Sequence, residues 1–209
     1  MTKTAYLYVF DTMADWEPGF LIAELHSGRY FRKGATGYTV RTVGIAKEPV
    51  VTMGGVRIMP DLSLEECTAD DAGVLILSGG DTWLEDIHVP MMEKVNEFQE
   101  EGVFVAAICG ATVGLAKAGL LDSRPHTSND LGYLKAVVPT YTGEAFYRQQ
   151  PVVADGKLIT ASGVAPIDFA REVLRELDVF SPQTLETWYR LYVTHEAQYF
   201  YALMESLDV

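Results

Sequence analysis

A thiol at the end of a buried strand can act as a nucleophile, and the neighbours of one cysteine place it so. Val103-Phe104-Val105-Ala106-Ala107-Ile108 is wholly apolar, stops at Cys109, and is followed by the small, helix-compatible run Gly110-Ala111-Thr112-Val113-Gly114-Leu115-Ala116. The pattern predicts a buried strand, a tight turn and a helix, with the thiol at the turn. A side chain at such an elbow projects from the carboxyl edge of a sheet, where the N–H groups and dipole of the next helix favour a thiolate. Cys109 is therefore a candidate nucleophile; its plain alternative is a small buried apolar residue. A thiolate becomes useful when a neighbouring group handles a proton. Glu17 is the best partner in the sequence, because it lies just past the strand-like run Ala5–Phe10, and parallel strands open their carboxyl ends on one crevice. Its plain alternative is an acid at a helix N-terminus, with Asp15 as the cap. Gly79-Gly80 ends a third apolar run, where backbone without a Cβ can approach a substrate, although such turns also occur without function.

The elements that must hold these residues alternate strand and helix, the pattern of a parallel sheet covered on both faces. Ala5–Phe10, Tyr38–Val43, Ala72–Leu77 and Val103–Ile108 read as strands; Glu17–Tyr30, Met91–Glu101 and Thr112–Ala118 read as helices, with Gly119 as a C-terminal cap. Val50–Met59 reads as a hairpin around Gly54-Gly55, and Val152–Ala161 as a second one turned by Asp155-Gly156. Arg124–Val138 is the least regular stretch, with a short helix near Leu131–Lys135; Asp168–Leu177 is an outer helix. Residues 1–180 form the α/β domain. Residues 181–209 add an aromatic helical extension, Leu185–Val193 and Ala197–Leu207, expected to pack on the same domain or on a partner subunit of a homodimer.

Composition narrows the partners. The 209 residues, 48% apolar and 22% charged, suffice for one domain with a substantial core. A net charge of −13 argues against nucleic acid and anionic membranes as partners. The N-terminal residues lack a signal-peptide pattern and no run approaches a membrane span, so a cytoplasmic location is expected. Cys67 sits among carboxylates that raise its thiol pKa, and a disulfide between Cys67 and Cys109 is not expected. His26 and His88 read as structural. Four scattered histidines and two distant cysteines offer no ligand-spaced cluster, and no phosphate-binding or dinucleotide fingerprint occurs, so neither a metal nor a nucleotide cofactor is expected.

Four segments in order, Thr4–Phe10 with Ala14-Asp15-Trp16-Glu17, Val74–Asp81, Val103–Ala116 and Ala161–Pro166, resemble the ThiJ/PfpI family of the class I glutamine amidotransferase-like superfamily. The resemblance spans Thr4 to Asp178. It implies a flavodoxin-like three-layer sandwich, with a mostly parallel sheet and a nucleophile-elbow cysteine at Cys109. It implies further that Glu17 touches the thiolate, stays protonated through burial and donates a hydrogen bond to sulfur, and that the N–H groups of Gly80 and Gly110, beside Gly79, hold a developing oxyanion. A pocket-lining segment follows the cysteine in the family, which makes His126 a candidate base, with Ser128 as the alternative and an exposed turn as the plain reading. Two departures bear on the reaction. Protease-like members place histidine directly after the cysteine, where this chain has Gly110; amidotransferases place His-x-Glu late in the chain, where this chain has His195-Glu196 with nothing between. Neither triad is intact. The expected function is a cofactor-independent, cysteine-dependent hydrolase or amidase-like activity on a small carbonyl or amide substrate. A glyoxalase- or deglycase-like enzyme is one alternative, and a non-enzymatic redox sensor or chaperone-type stress protein is another.

Overall fold

Apolar runs without alternation become the middle of a sheet, because strands covered on both faces bury every side chain. The computed structural model describes residues 2–207. In chain order its elements are β1 (Thr2–Tyr8), α1 (Gly19–Ser27), β2 (Gly37–Gly44), β3 (Val50–Val51), β4 (Arg57–Ile58), β5 (Leu62–Ser63), β6 (Ala72–Leu77), α2 (Val89–Glu100) and β7 (Phe104–Ile108). They continue with α3 (Gly110–Lys117), α4 (Leu131–Val137), β8 (Val152–Asp155), β9 (Leu158–Ala161), α5 (Pro166–Glu176), α6 (Pro182–Thr194) and α7 (Ala197–Glu205). Seven strands form one sheet in the order β5-β2-β1-β6-β7-β9-β8, parallel throughout except for the β8–β9 hairpin. This is the expected α/β, flavodoxin-like architecture with a mostly parallel central sheet. Every residue of β6 is buried, and side chains such as Leu75, Ile76 and Leu77 each stabilise the fold by roughly 1.5–3 kcal/mol.

The register decides where the strands deliver their ends. Tyr8 pairs with Leu77, Leu77 with Ala107, and Ala107 with Thr160, so β1, β6, β7 and β9 finish level with one another. The segments that follow them therefore meet along one edge of the sheet. The loop after β1 is fixed there by Ala14 N–H donating to the Gly79 carbonyl at 2.9 Å and by Met53 N–H donating to the Met13 carbonyl at 2.9 Å.

Several expected boundaries move. The first helix begins at Gly19 and stops at Gly28, a left-handed C-cap with φ +59°, so Glu17 lies ahead of the helix. Asp15 does not cap it: its Oδ2 accepts the Gly54 N–H at 2.6 Å and ties the β3–β4 hairpin to the loop. The helix behind Cys109 starts at Gly110, ahead of the expected Thr112, with Cys109 itself at the turn. The short edge strand β5 has no counterpart in the sequence pattern, since two residues carry no periodicity. In the aromatic extension Trp188 is buried and its indole N–H donates to Glu24 Oε1 at 3.0 Å, on a carboxylate that Arg29 also holds. Phe20 of α1 packs edge-on against Tyr192 at 5.0 Å, while Phe200 and Tyr201 remain exposed. Among the described residues no helix is long and apolar enough to cross a membrane.

Candidate active site

Cys109 occupies the junction of β7 and α3 with φ +59° and ψ −125°. A residue bearing a Cβ is strained at positive φ and persists there only if its surroundings impose it. They do: Cys109 N–H donates to the Ala161 carbonyl at 2.9 Å, and the Cys109 carbonyl accepts from Thr112 N–H at 3.0 Å and from Thr112 Oγ1 at 2.6 Å. Two glycines leave the space that the sulfur fills. A methyl group added at Gly79 would lie 2.8 Å from Sγ and 2.9 Å from Glu17 Oε2; one added at Gly163 would lie 2.6 Å from Sγ and 3.1 Å from Glu17 Oε1. Both glycines are thus required by the close approach of three loops, those after β1, β6 and β9.

Glu17 is completely buried. Its Oε2 accepts the Gly79 N–H at 2.5 Å, whereas Oε1 is buried with no hydrogen-bond partner among the described residues and borders, with the sulfur, the space beside Gly163. Burial raises its pKa, against the opposing pull of the Gly79 N–H and of the Cys109 thiol. Gly79 therefore serves Glu17, and its amide is not free for a substrate. The sulfur receives a second polar contact from Asn129, whose Nδ2 donates to Sγ at 3.2 Å while its Oδ1 accepts the Gly163 N–H at 2.8 Å.

Burial opposes the preference for a thiolate that the helix N-terminus gives Cys109. Burial pushes its pKa up to about 11, the Asn129 amide draws it down, and Glu17 pushes it up again; the Gly110 N–H draws it down. Cys67 stays the more reluctant thiol, at about 12, and here too burial is the leading cause, ahead of any carboxylate. Both cysteines are free. Two acids in contact inside a protein do not both ionise near neutrality, so the Cys109–Glu17 pair keeps at least one proton between sulfur and carboxyl. Such a pair can hand the thiol proton to an incoming oxygen as the sulfur attacks.

Gly80 and Gly110 face one another: a side chain on Gly110 would begin 3.3 Å from the Gly80 nitrogen. His126 is not brought to the sulfur. It is buried, with Nδ1 on the Arg124 carbonyl at 2.8 Å and Nε2 on Tyr141 Oη at 2.6 Å, so both nitrogens are committed to the interior. The plain reading of an exposed turn fails for the same reason. Ser128 Oγ turns to the Asp130 carbonyl and Tyr147. The residue of this segment that reaches Cys109 is Asn129, which the sequence hides: Asn129-Asp130 reads as a turn and helix cap, and Asp130 does cap α4 through Tyr133 N–H.

His88 is structural, stacked on Trp83 at 4.4 Å between Tyr8 and Thr82 hydroxyls. An apolar cavity of about 220 Å³ lies beside this stack and shares none of the residues that touch the sulfur. Among the described residues no group of three or more His, Cys, Asp and Glu side chains is arranged to hold a metal ion.

Comparison with known proteins agrees with the fold. Residues 3–176 match the model of the DJ-1/PfpI family. The chain is 54% identical over 207 residues, 99% of either sequence, to a Bacillus subtilis protein named as the uncharacterized protease YoaZ. Its fold superposes with a TM-score of 0.96 on the crystal structure of a ThiJ/PfpI family protein from Bacillus anthracis, 54% identical, covering 100% of this chain and 99% of that one. A DJ-1 superfamily protein of Agrobacterium tumefaciens, Atu0886, is 33% identical with a TM-score of 0.81, over 93% of this chain and 99% of that one.

Proposed function

The chain belongs to the DJ-1/PfpI family, and on that premise we propose that it is a cofactor-independent, cysteine-dependent enzyme that converts small 2-oxoaldehydes to 2-hydroxy acids, with Cys109 as nucleophile and Glu17 as proton carrier. Relatives named as proteases, YoaZ and the 31% identical YdeA of Bacillus subtilis, support a hydrolase-like role at the level of the family. The observation that carries the finer reading is the set of groups on the sulfur. Besides the Gly110 backbone N–H they are one carboxyl and one amide side chain, with no imidazole among the described residues. An amide donates a hydrogen bond but exchanges no proton at neutral pH, so Glu17 alone must do all the proton work.

That inventory suits a 2-oxoaldehyde. The sulfur adds to the aldehyde carbon while Glu17 relays the thiol proton to the carbonyl oxygen, giving a hemithioacetal; Gly80 and Gly110 N–H groups support the oxygen as charge develops. The Glu17 carboxylate then takes the hydrogen of that carbon as a proton and returns it to the neighbouring carbonyl carbon through an enediol. The aldehyde carbon is thereby oxidised to a thioester and the ketone carbon reduced to an alcohol, so no external oxidant or reductant enters. Water cleaves the thioester, releases a 2-hydroxy acid and restores the thiol. Peptide or glutamine cleavage asks for a second, well-aimed acid on the leaving nitrogen, and among the described residues none stands at the sulfur.

The test is lactate formation from methylglyoxal. Turnover by the wild type that disappears in Cys109→Ala supports the reading. Absence of turnover with any 2-oxoaldehyde, together with reversible peroxide oxidation of Cys109, would replace it with a redox-sensing role.

A further inference from the structure

Asn129 faces two ways. Besides donating to Cys109, it lines a cleft of about 390 Å³ whose other polar walls are Ser128, Gln149, Gln150, Ser162 and Asp168. The cleft adjoins the sulfur on a second side, since Gly163, whose Cα faces Sγ, lies between the cleft residues Ser162 and Val164, the latter 93% exposed. Gln149, Gln150 and Ser162 side chains form no hydrogen bond with any other described residue, so their donors and acceptors are available to a guest. Among the described residues no lysine, arginine or histidine lines the cleft. The first turn of α5, which would otherwise favour an anion, carries Asp168.

We propose that this cleft is the subsite for the part of the substrate that does not react, and that it takes an uncharged polyhydroxyl chain attached to the carbonyl group. The inference rests on the reading of Cys109 as the attacking group. Ser128, Asn129 and Asp168 already hold hydrogen-bond partners, but the amides of Gln149 and Gln150 and the hydroxyl of Ser162 offer both donors and acceptors, which is what vicinal hydroxyl groups require, because each both gives and receives a hydrogen bond. A carboxylate or phosphate tail would meet Asp168 with no cation to compensate it, within a chain of net charge −13.

Two measurements separate the subsite from the chemistry. The side-chain amide NMR signals of Gln149 and Gln150 are followed during titration with xylitol and, separately, with succinate. Saturable shifts in the millimolar range with xylitol and none with succinate are expected; no shift with xylitol, or equal shifts with succinate, would overturn the subsite whatever Cys109 does. In the second, Cys109 is alkylated with iodoacetamide, iodoacetate and a dihydroxypropyl iodoacetamide, each rate divided by that of free cysteine. The hydroxylated reagent should gain roughly threefold or more over iodoacetamide, a factor in line with one neutral hydrogen bond, and Gln149→Ala/Gln150→Ala should remove the gain. An absent gain counts against the subsite. A folded protein whose Cys109 resists all three reagents while the NMR shifts persist leaves the subsite standing and refutes the reading of the thiol.

Discussion

Replacing Glu17 by glutamine should make Cys109 more acidic and the enzyme slower at the same time. The orientation of the new amide is dictated by Gly79, whose N–H needs an acceptor at 2.5 Å, so the amide oxygen takes the Oε2 place and its NH₂ falls where Oε1 now lies beside the sulfur. Glu17 raises the thiol pKa both as a like charge and through a hydrogen bond that favours the protonated sulfur. The Glu17→Gln substitution removes both effects and introduces a donor that favours the thiolate, leaving burial as the remaining cause of elevation. The apparent pKa should drop by about one unit or more from about 11; one unit is about 1.4 kcal/mol and tenfold in thiolate near neutrality. Turnover should nonetheless fall by roughly 10²–10⁴-fold, because the amide cannot carry the proton. The assay is iodoacetamide alkylation of Cys109 from about pH 6 to 11, a range that brackets the elevated thiol and its ordinary value, read by mass spectrometry beside lactate formation from methylglyoxal. An unchanged alkylation profile, or turnover that rises with the thiolate fraction, would refute the coupling of the two groups.

Asn129→Leu should move the thiol the other way, raising its pKa and slowing alkylation in mildly alkaline solution, with little loss of stability because Asn129 is exposed. Gly163→Ala places a methyl group 2.6 Å from Sγ and 2.8 Å from Cys109 Cβ. It should abolish turnover and cost about 1–3 kcal/mol, read as a lower midpoint in urea; wild-type activity in this variant would mean the three loops do not meet as described. His88, held near pKa 4 by burial, stays neutral in the fold while the unfolded chain binds a proton below about 6.5. Its contribution to stability is therefore full above about pH 6.5 and declines by about 3 kcal/mol as pH falls to about 4, a slope that His88→Gln should flatten in urea titrations. Ammonia should not be released from glutamine at anything near ordinary enzyme turnover of ~10 per second; release that depends on Cys109 would point to an acid the site does not display.

Much of the fold is legible in local pattern. Ala72–Leu77 and Val103–Ile108 are apolar without alternation, which only a doubly covered strand explains, and Asp155-Gly156 supplies the positive φ that its hairpin uses. Cys109 and Glu17 stand out because each follows such a strand, and the level register of β1, β6 and β7 turns that adjacency in sequence into contact. What local pattern cannot give depends on chain brought from elsewhere. His126 is buried by Tyr141, fifteen residues on, and no feature of Arg124–Asn129 announces it. Asn129 reaches the sulfur only because its segment is tied to β9 and the loop after it, by Thr127 N–H donating to Thr160 Oγ1 at 2.9 Å and Gly163 N–H donating to Asn129 Oδ1 at 2.8 Å. The helix end behind Cys109 is visible in the sequence, whereas the desolvation by three converging loops that opposes it is not.

The central claim, that the Cys109 sulfur forms the bond to substrate, is open to direct observation. The protein is mixed with methylglyoxal, quenched in acid during the first turnovers, and its peptides are mapped by mass spectrometry. An adduct of one substrate molecule should appear on the peptide holding Cys109, not on that holding Cys67, and should decay at the rate at which lactate forms. Lactate produced with no Cys109 adduct at any time, and undiminished in Cys109→Ala, would contradict the mechanism.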